Sequence, residues 1–153
     1  MMRRQMQFQE RSGVMRGRLE LVLRRNGKVV EHDPGDNLIV NVARMNMARL
    51  LSGEGQNKVV NRVAVGTNGA APTPDDTVIT SAYMKPISGF VYPTPTSVRF
   101  DFIILENEAN GMSIVEFGLV AADGSLVARR TRGGKRIEKE DDLEIEGYWT
   151  ILF

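Results

Sequence analysis

The side chains with the most obvious chemical capacity are scattered, and their spacing decides what they can do. The lone histidine, His32, stands between Glu31 and Asp33. An imidazole and two carboxylates are metal-ligand types, but neighbours on an extended chain point to opposite faces, so this spacing does not converge them on one ion. His32 reads instead as a surface histidine in a polar loop. Asp75 and Asp76 could offer oxygens to calcium, yet no calcium-loop pattern surrounds them. The densest carboxylate run is Glu138, Glu140, Asp141, Asp142, Glu144 and Glu146. Acid–base catalysis needs two carboxylates in a cleft whose surroundings push their pKa values apart. Here Lys139, Leu143 and Ile145 interleave with them, which is the pattern of a solvated face at a sheet edge. There is no cysteine, and the single histidine is far from any serine in a strained turn, so no nucleophile–base pair is legible. Arg132-Gly133-Gly134-Lys135 lacks the glycine spacing and the following Ser or Thr of a phosphate loop, and reads as a basic turn. GTNGA at residues 66–70 leads into a proline-rich loop rather than a helix N-terminus. The sequence predicts no catalytic residue, no metal ligand and no cofactor.

What remains is a question of surfaces, and charge is distributed unevenly over them. The chain of 153 residues carries a formal net charge of only +1. Residues 1–30 nevertheless hold eight basic side chains against two acidic ones, and residues 106–146 hold ten acidic against six basic. A basic segment can bind nucleic acid or lie on the acidic face of a neighbouring copy. No aromatic platform interleaves the arginines as single-strand binding would want, so the second reading is preferred. It makes Arg3, Arg4 and Arg11 partners for Glu138, Asp141 and Asp142 of another subunit, with Met6 and Phe8 as apolar contacts from the same arm. A solvated tail is the plain alternative.

The elements that must position these groups follow from periodicity. The length suits one domain with an arm, residues 1–16 and 17–153. The absence of cysteine excludes a disulfide framework, and no apolar run approaches the roughly 20 residues of a membrane helix. The start, MMRRQMQFQERSG, has no apolar core of a secretory signal. GRLELVLR at residues 17–24 alternates as a half-buried strand, and Asn26-Gly27 predicts a tight hairpin. HDPGD, residues 32–36, is predicted as a loop. Asn41–Leu51 is the one helix, with Asn41 as N-cap, an apolar face of Ala43, Met47, Leu50 and Leu51, and Ser52-Gly53 as its stop. Val59–Val65 is a strand, GTNGAAPTPDDT at 66–77 a long surface loop, and Thr80–Gly89 ambiguous. Ser97–Leu105, Ser113–Val120, Ser125–Arg130 and Leu143–Phe153 are strands, and Asn110-Gly111 and Asp123-Gly124 are read as hairpin turns. Together these predict a mainly β fold, an antiparallel β-sandwich with one short α-helix and an extended N-terminal arm. GFVYPTPTS, residues 89–97, places Phe90 and Tyr92 where they could stack on a sugar, a second use for such a surface.

Several segments in order resemble one family. VAVGTNGAAPTPDDT (63–77) is similar to the strand and Pro-x-Asp-Thr loop of phage tail-fibre and baseplate-associated proteins. ENEANGMSIVEFGLVAADGSLVARR (106–130) resembles their Gly-Leu, Asp-Gly hairpin, and IEKEDDLEIEGYWTILF (137–153) their closing strand. NVARMNMARLLSGEG occupies the place of their short helix. The likeness covers residues 17–153. It implies a non-enzymatic virion structural protein of a tailed bacteriophage, assembled in the host cytoplasm, with no cofactor. It implies a homo-oligomer, trimer or hexamer, that meets other tail proteins. Long fibres continue into collagen-like or receptor-binding segments that this sequence lacks. The expectation is therefore a collar, baseplate or fibre-attachment piece, with a carbohydrate-binding tail module or a capsid decoration protein as alternatives.

Overall fold

A computed structural model describes residues 15–153 of the chain. Two long strands, β1 (Arg16–Arg25) and β2 (Lys28–Ile39), form a hairpin and lead into α1 (Asn41–Leu51). A 3₁₀ turn at Gln56–Lys58 precedes β3 (Val60–Gly66). After a loop come β4 (Tyr83–Pro86), β5 (Gly89–Val91) and β6 (Ser97–Ile104). The chain closes with β7 (Ser113–Ile114), β8 (Glu116–Ala121), β9 (Leu126–Thr131), β10 (Ile137–Glu138) and β11 (Leu143–Leu152). Nine strands form one antiparallel sheet in the order β4-β3-β8-β9-β2-β1-β11-β6-β5, and β7 and β10 pair separately. The sheet curls into a half-barrel, so its two ends face each other as the layers of a sandwich do. The mainly β, antiparallel architecture with one helix matches the expectation.

Strand β2 makes the bend. Of its first ten residues all but Val30, at a bulge, pair with β1, and only Leu38 and Ile39 pair with β9. The β1–β2 turn is as predicted: Asn26 and Gly27 both take positive φ, 50° and 79°, as a two-residue hairpin matched to strand twist requires. The expected loop at HDPGD is strand instead. Pro34 is tolerated because β2 has a strand neighbour on only one edge there. Gly35 lies opposite Leu19, and the Arg130 side chain occupies the space a Cβ would take.

The two halves of the sheet share one core. Leu19, Leu21 and Leu23 of β1, Ile145, Trp149 and Ile151 of β11, and Phe102 and Ile104 of β6 meet Val63, Val65, Phe117, Leu119 and Ala128 from β3, β8 and β9. Gly147 breaks the apolar alternation of β11 for a steric reason. It pairs directly with Phe102, whose ring fills the position of the missing side chain. A second, smaller cluster lies on the other face of β3, β8 and β9: Val40, Ala64, Val120 and Leu126 beneath Ile79 of the 67–82 loop.

Four other expectations need correction. Of the carboxylate run, Glu144 and Glu146 do not lie at a sheet edge, because β11 sits between β1 and β6, whereas Glu138 is in the separate β7–β10 pair and Glu140–Asp142 form the turn between β10 and β11. Asn110-Gly111 turns the chain, but β6 and β7 on either side of it do not pair, so it closes no hairpin; Asp123-Gly124 does close one, between β8 and β9. The helix N-cap is Val40 rather than Asn41. Asn41 instead uses its backbone N–H to reach Pro74 O at 2.8 Å and its side-chain amide to reach Asp75 at 3.0 Å. The loop thus satisfies one of the backbone donors that the helix start leaves without an intrahelical partner. Gly53 follows the helix with φ 79°, as its stop requires. On the helix face, Leu51 is exposed and Asn46 buried, so the inward stripe is Ala43, Asn46 and Met47.

Candidate functional site

The polar chemistry of the molecule lies in three buried cation clusters. The first centres on Arg129, 1% exposed, on the outer face of β9. Its Nε donates to Glu116 Oε2 at 2.8 Å, Nη1 to Asp76 at 3.0 Å, and Nη2 to Asn68 O at 2.8 Å. The other oxygen of the fully buried Glu116 accepts the Thr80 N–H at 2.6 Å. One ion pair thus fastens the 67–82 loop at Asn68, Asp76 and Thr80, and Ile79 is pressed onto Gly66 and Gly118, which carry no side chain to block it.

The second cluster joins β2 to β9. Cross-strand partners share a face, so Glu31, Asp33 and Asn37 lie on the same side as Leu23, Leu21 and Gly17 of β1. The inward side of β2 is therefore polar. Arg130 donates to Leu19 O at 2.8 Å and to Asp33 Oδ1 at 2.8 Å. Arg132 Nε donates to Asp33 Oδ2 at 2.8 Å, and its Nη2 pairs with Glu31. Asn37 accepts the indole N–H of Trp149 at 3.0 Å. The third cluster is Lys139, 1% exposed, whose ammonium donates to Glu106 O, Asn110 Oδ1 and Glu140 O at 3.1, 2.8 and 2.9 Å. It holds the 105–112 turn in place.

These environments fix protonation. Burial pushes the Asp33 carboxyl up, but hydrogen bonds from Arg132 and Arg130 outweigh it and leave Asp33 below the usual carboxylate range. Asp76 behaves alike: burial raises it, and the Thr73 and Arg129 hydrogen bonds bring it down. Burial lowers Lys139 against the attraction of nearby carboxylates. Carboxylates held as anions by guanidinium groups are poor proton donors or acceptors near neutral pH. Their geometry is that of braces between strands. Among the described residues no group of three His, Asp or Glu side chains is arranged to hold a metal ion. His32 is exposed and meets Glu20 at 2.6 Å on the outer face.

The open end of the half-barrel has a different character. An apolar groove of about 340 Å³ runs between α1 and the far layer, with Met47 and Leu50 on one wall, Phe90, Phe100 and Ile151 on the other, and Phe153 at the lip. Its polar lining groups are already bonded: Asn46 donates to Ser125 Oγ at 2.8 Å, and Lys58 pairs with Asp123. Exposed apolar side chains line its mouth, among them Tyr92 (71%) and Phe153 (59%), and Leu51 (91%) follows Leu50 at the end of the helix.

The predicted contact residues are distributed as follows. Arg3, Arg4, Met6, Phe8 and Arg11 lie outside the described residues. Asp142 accepts from Arg25 of its own chain at 2.6 Å, and Glu138 accepts from Ser113 at 2.8 Å. Arg24 likewise pairs with Glu146. The basic early strand and the acidic late strand are thus neighbours in one subunit, which accounts for part of the charge asymmetry. Asp141 is exposed. Phe90 and Tyr92 do come together at the groove, 5.8 Å apart and edge-to-face. The edge-to-face arrangement presents no flat stacking platform. Sequence reasoning missed Arg129, Arg130, Arg132, Lys139 and Glu116. For Glu116, Arg129 and Arg130 the one visible signal is charge inside otherwise apolar strands, and Arg132 and Lys139, just past β9 and β10, carry none. No known protein family, no curated protein and no solved structure matches the chain. No helix among the described residues is long and apolar enough to cross a membrane.

Proposed function

We propose that the protein is a non-enzymatic structural component of a bacteriophage tail, a collar, baseplate or fibre-attachment piece that works by assembling into a homo-oligomer. The observation that carries this reading is the division of surfaces. The buried charged groups are bonded within the chain as braces, while large apolar side chains gather unpaired at one end, around the groove. Contiguous apolar patches of this kind mark interaction surfaces. The resemblance of residues 63–77, 106–130 and 137–153 to tail proteins supplies the setting. The rigid half-barrel fixes the orientation of the apolar end, which is what a ring or trimer needs from its subunit.

The test is the solution mass of the full chain beside a variant with Leu51→Glu and Tyr92→Glu, both at exposed positions outside the core. The wild type is expected as a trimer or hexamer and the variant as a smaller species with unchanged circular dichroism. A monomer at every concentration rejects the assembly reading. An oligomer that ignores both charges places the contact elsewhere.

A further inference from the structure

The apolar groove lies where the N-terminal segment leaves the sheet. In β1, Gly17 pairs with Ile151 and Arg16 with Leu152. Met15 therefore stands at the level of Phe153 and on the same side of the sheet, and it packs on the core. Ile151 and Phe153 are themselves part of the groove. We propose that residues 1–14 of the same chain cover this groove, with Met6 and Phe8 seated between α1 and β5. The arm then takes the groove itself and leaves its exposed rim, Leu51, Tyr92 and Phe153, for the contact of the proposed oligomer.

Three features of the chain fit this occupant. The first is reach. Fourteen residues extend up to about 46–50 Å, and Phe8 is close enough to Met15 to need only a reversal of direction. Ser12-Gly13 stands just before Val14, and both residues favour turns. The second is pattern. Gln5-Met6-Gln7-Phe8-Gln9 alternates, so an extended backbone puts Met6 and Phe8 on one side and the three glutamines on the other. The third is chemistry. Asn46 and Lys58 are already bonded, so beyond the Tyr92 hydroxyl the groove offers mainly burial, which suits apolar side chains. Phenylalanine contributes area, and methionine adapts to an irregular wall. The arginines of the segment need not be buried, because Arg3, Arg4 and Arg11 can extend into solvent from either end.

The cysteine-free sequence permits a direct test on the full chain. Phe8→Cys is combined with Val59→Cys, a groove position that is 47% exposed, and oxidised under mild conditions. The expected result is loss of both free thiols, a monomeric band on non-reducing electrophoresis and a peptide linking positions 8 and 59. A control pair, Phe8→Cys with Val29→Cys in the β1–β2 hairpin, remains unlinked. Separately, Phe8→Ser in the full chain raises binding of an environment-sensitive apolar dye relative to wild type, with unchanged circular dichroism. An 8–59 bond found only between two chains assigns the groove to a neighbour's segment and overturns the proposal. So does bonding no faster than the control, or dye binding indifferent to Phe8→Ser. A bond between two chains would itself be evidence for assembly through the arm; the other outcomes leave the assembly reading to the solution mass.

Discussion

The two halves of the curled sheet are built from the same kind of strand and solve different problems. The half made of β1, β11 and β6 has one face in the core and one in solvent. Its strands alternate, and β11 does so along its whole length, with Leu143, Ile145, Trp149 and Ile151 inward. The half made of β3, β8 and β9 is covered on both sides, by the shared core on one and by the 67–82 loop on the other, and all six residues of β8 are buried. A one-sided strand needs only an apolar face. A two-sided strand needs a roof, and the roof needs an anchor. Arg129 and Glu116 supply it, at the cost of placing two charges where water does not reach. A buried pair of this kind adds little net stability against an apolar replacement, but loss of one partner strands the other.

The largest expected effect tests that anchor. Arg129→Ala leaves the Glu116 carboxylate buried without its cation, and is expected to lower unfolding stability by about 3–5 kcal/mol in chemical denaturation. Adding Glu116→Gln recovers part of the loss. A cost for Arg129→Ala below that of an ordinary surface change would erase the distinction between the halves. The next test compares two glycines. Gly147→Ala forces a methyl into the Phe102 ring, which the core holds fixed, and should cost about 1–3 kcal/mol or more. Gly118→Ala meets Ile79, which rides on a loop that can lift, and should cost clearly less. Equal costs would mean that the roof is as rigid as the core.

Acid should act on both halves. Asp33, which ties β2 to β9, and Asp76, which ties the roof, both sit below their ordinary value of 3.8 in the folded state. A lowered folded pKa contributes stability that is present above the unfolded value and is lost as pH falls through the folded one. Stability is therefore expected to decline from about pH 4 downward, and Asp33→Asn should flatten that decline in urea midpoints measured across the acid range. An unaltered profile would contradict the brace. The smallest effect belongs to the solvent face of the one-sided half. Arg18→Gln should change stability by no more than about 0.5 kcal/mol.

The same comparison explains what could be read in advance. Strands β1, β6 and β11 were legible because one wet face imposes period-two patterning, and α1 because its stop at Ser52-Gly53 follows an apolar stripe. Strand β2 was not, since its inward side carries Glu31 and Asp33, which Arg130 and Arg132 complement only after folding, and Asn37, which Trp149 complements. The 67–82 segment reads correctly as a loop, but nothing local marks Ile79 as the residue that roofs a sheet. Of the candidate site, Phe90 and Tyr92 were visible as aromatic residues near prolines, and Met47 and Leu50 as an apolar helix face. That they border one open groove depends on the curl of the sheet, a long-range property set by the bend in β2. The pairing of Arg25 with Asp142 across 117 positions is equally invisible to local pattern.

The central claim is that the apolar end of the half-barrel is an assembly face. Hydrogen exchange of the full chain over a concentration series tests it most directly. The account predicts protection that grows with concentration in peptides spanning Leu50–Gly53, Gly89–Tyr92 and Leu152–Phe153, while the β1–β2 hairpin tip at Asn26–Val30 is unaffected. Exchange independent of concentration at all of these segments would contradict it.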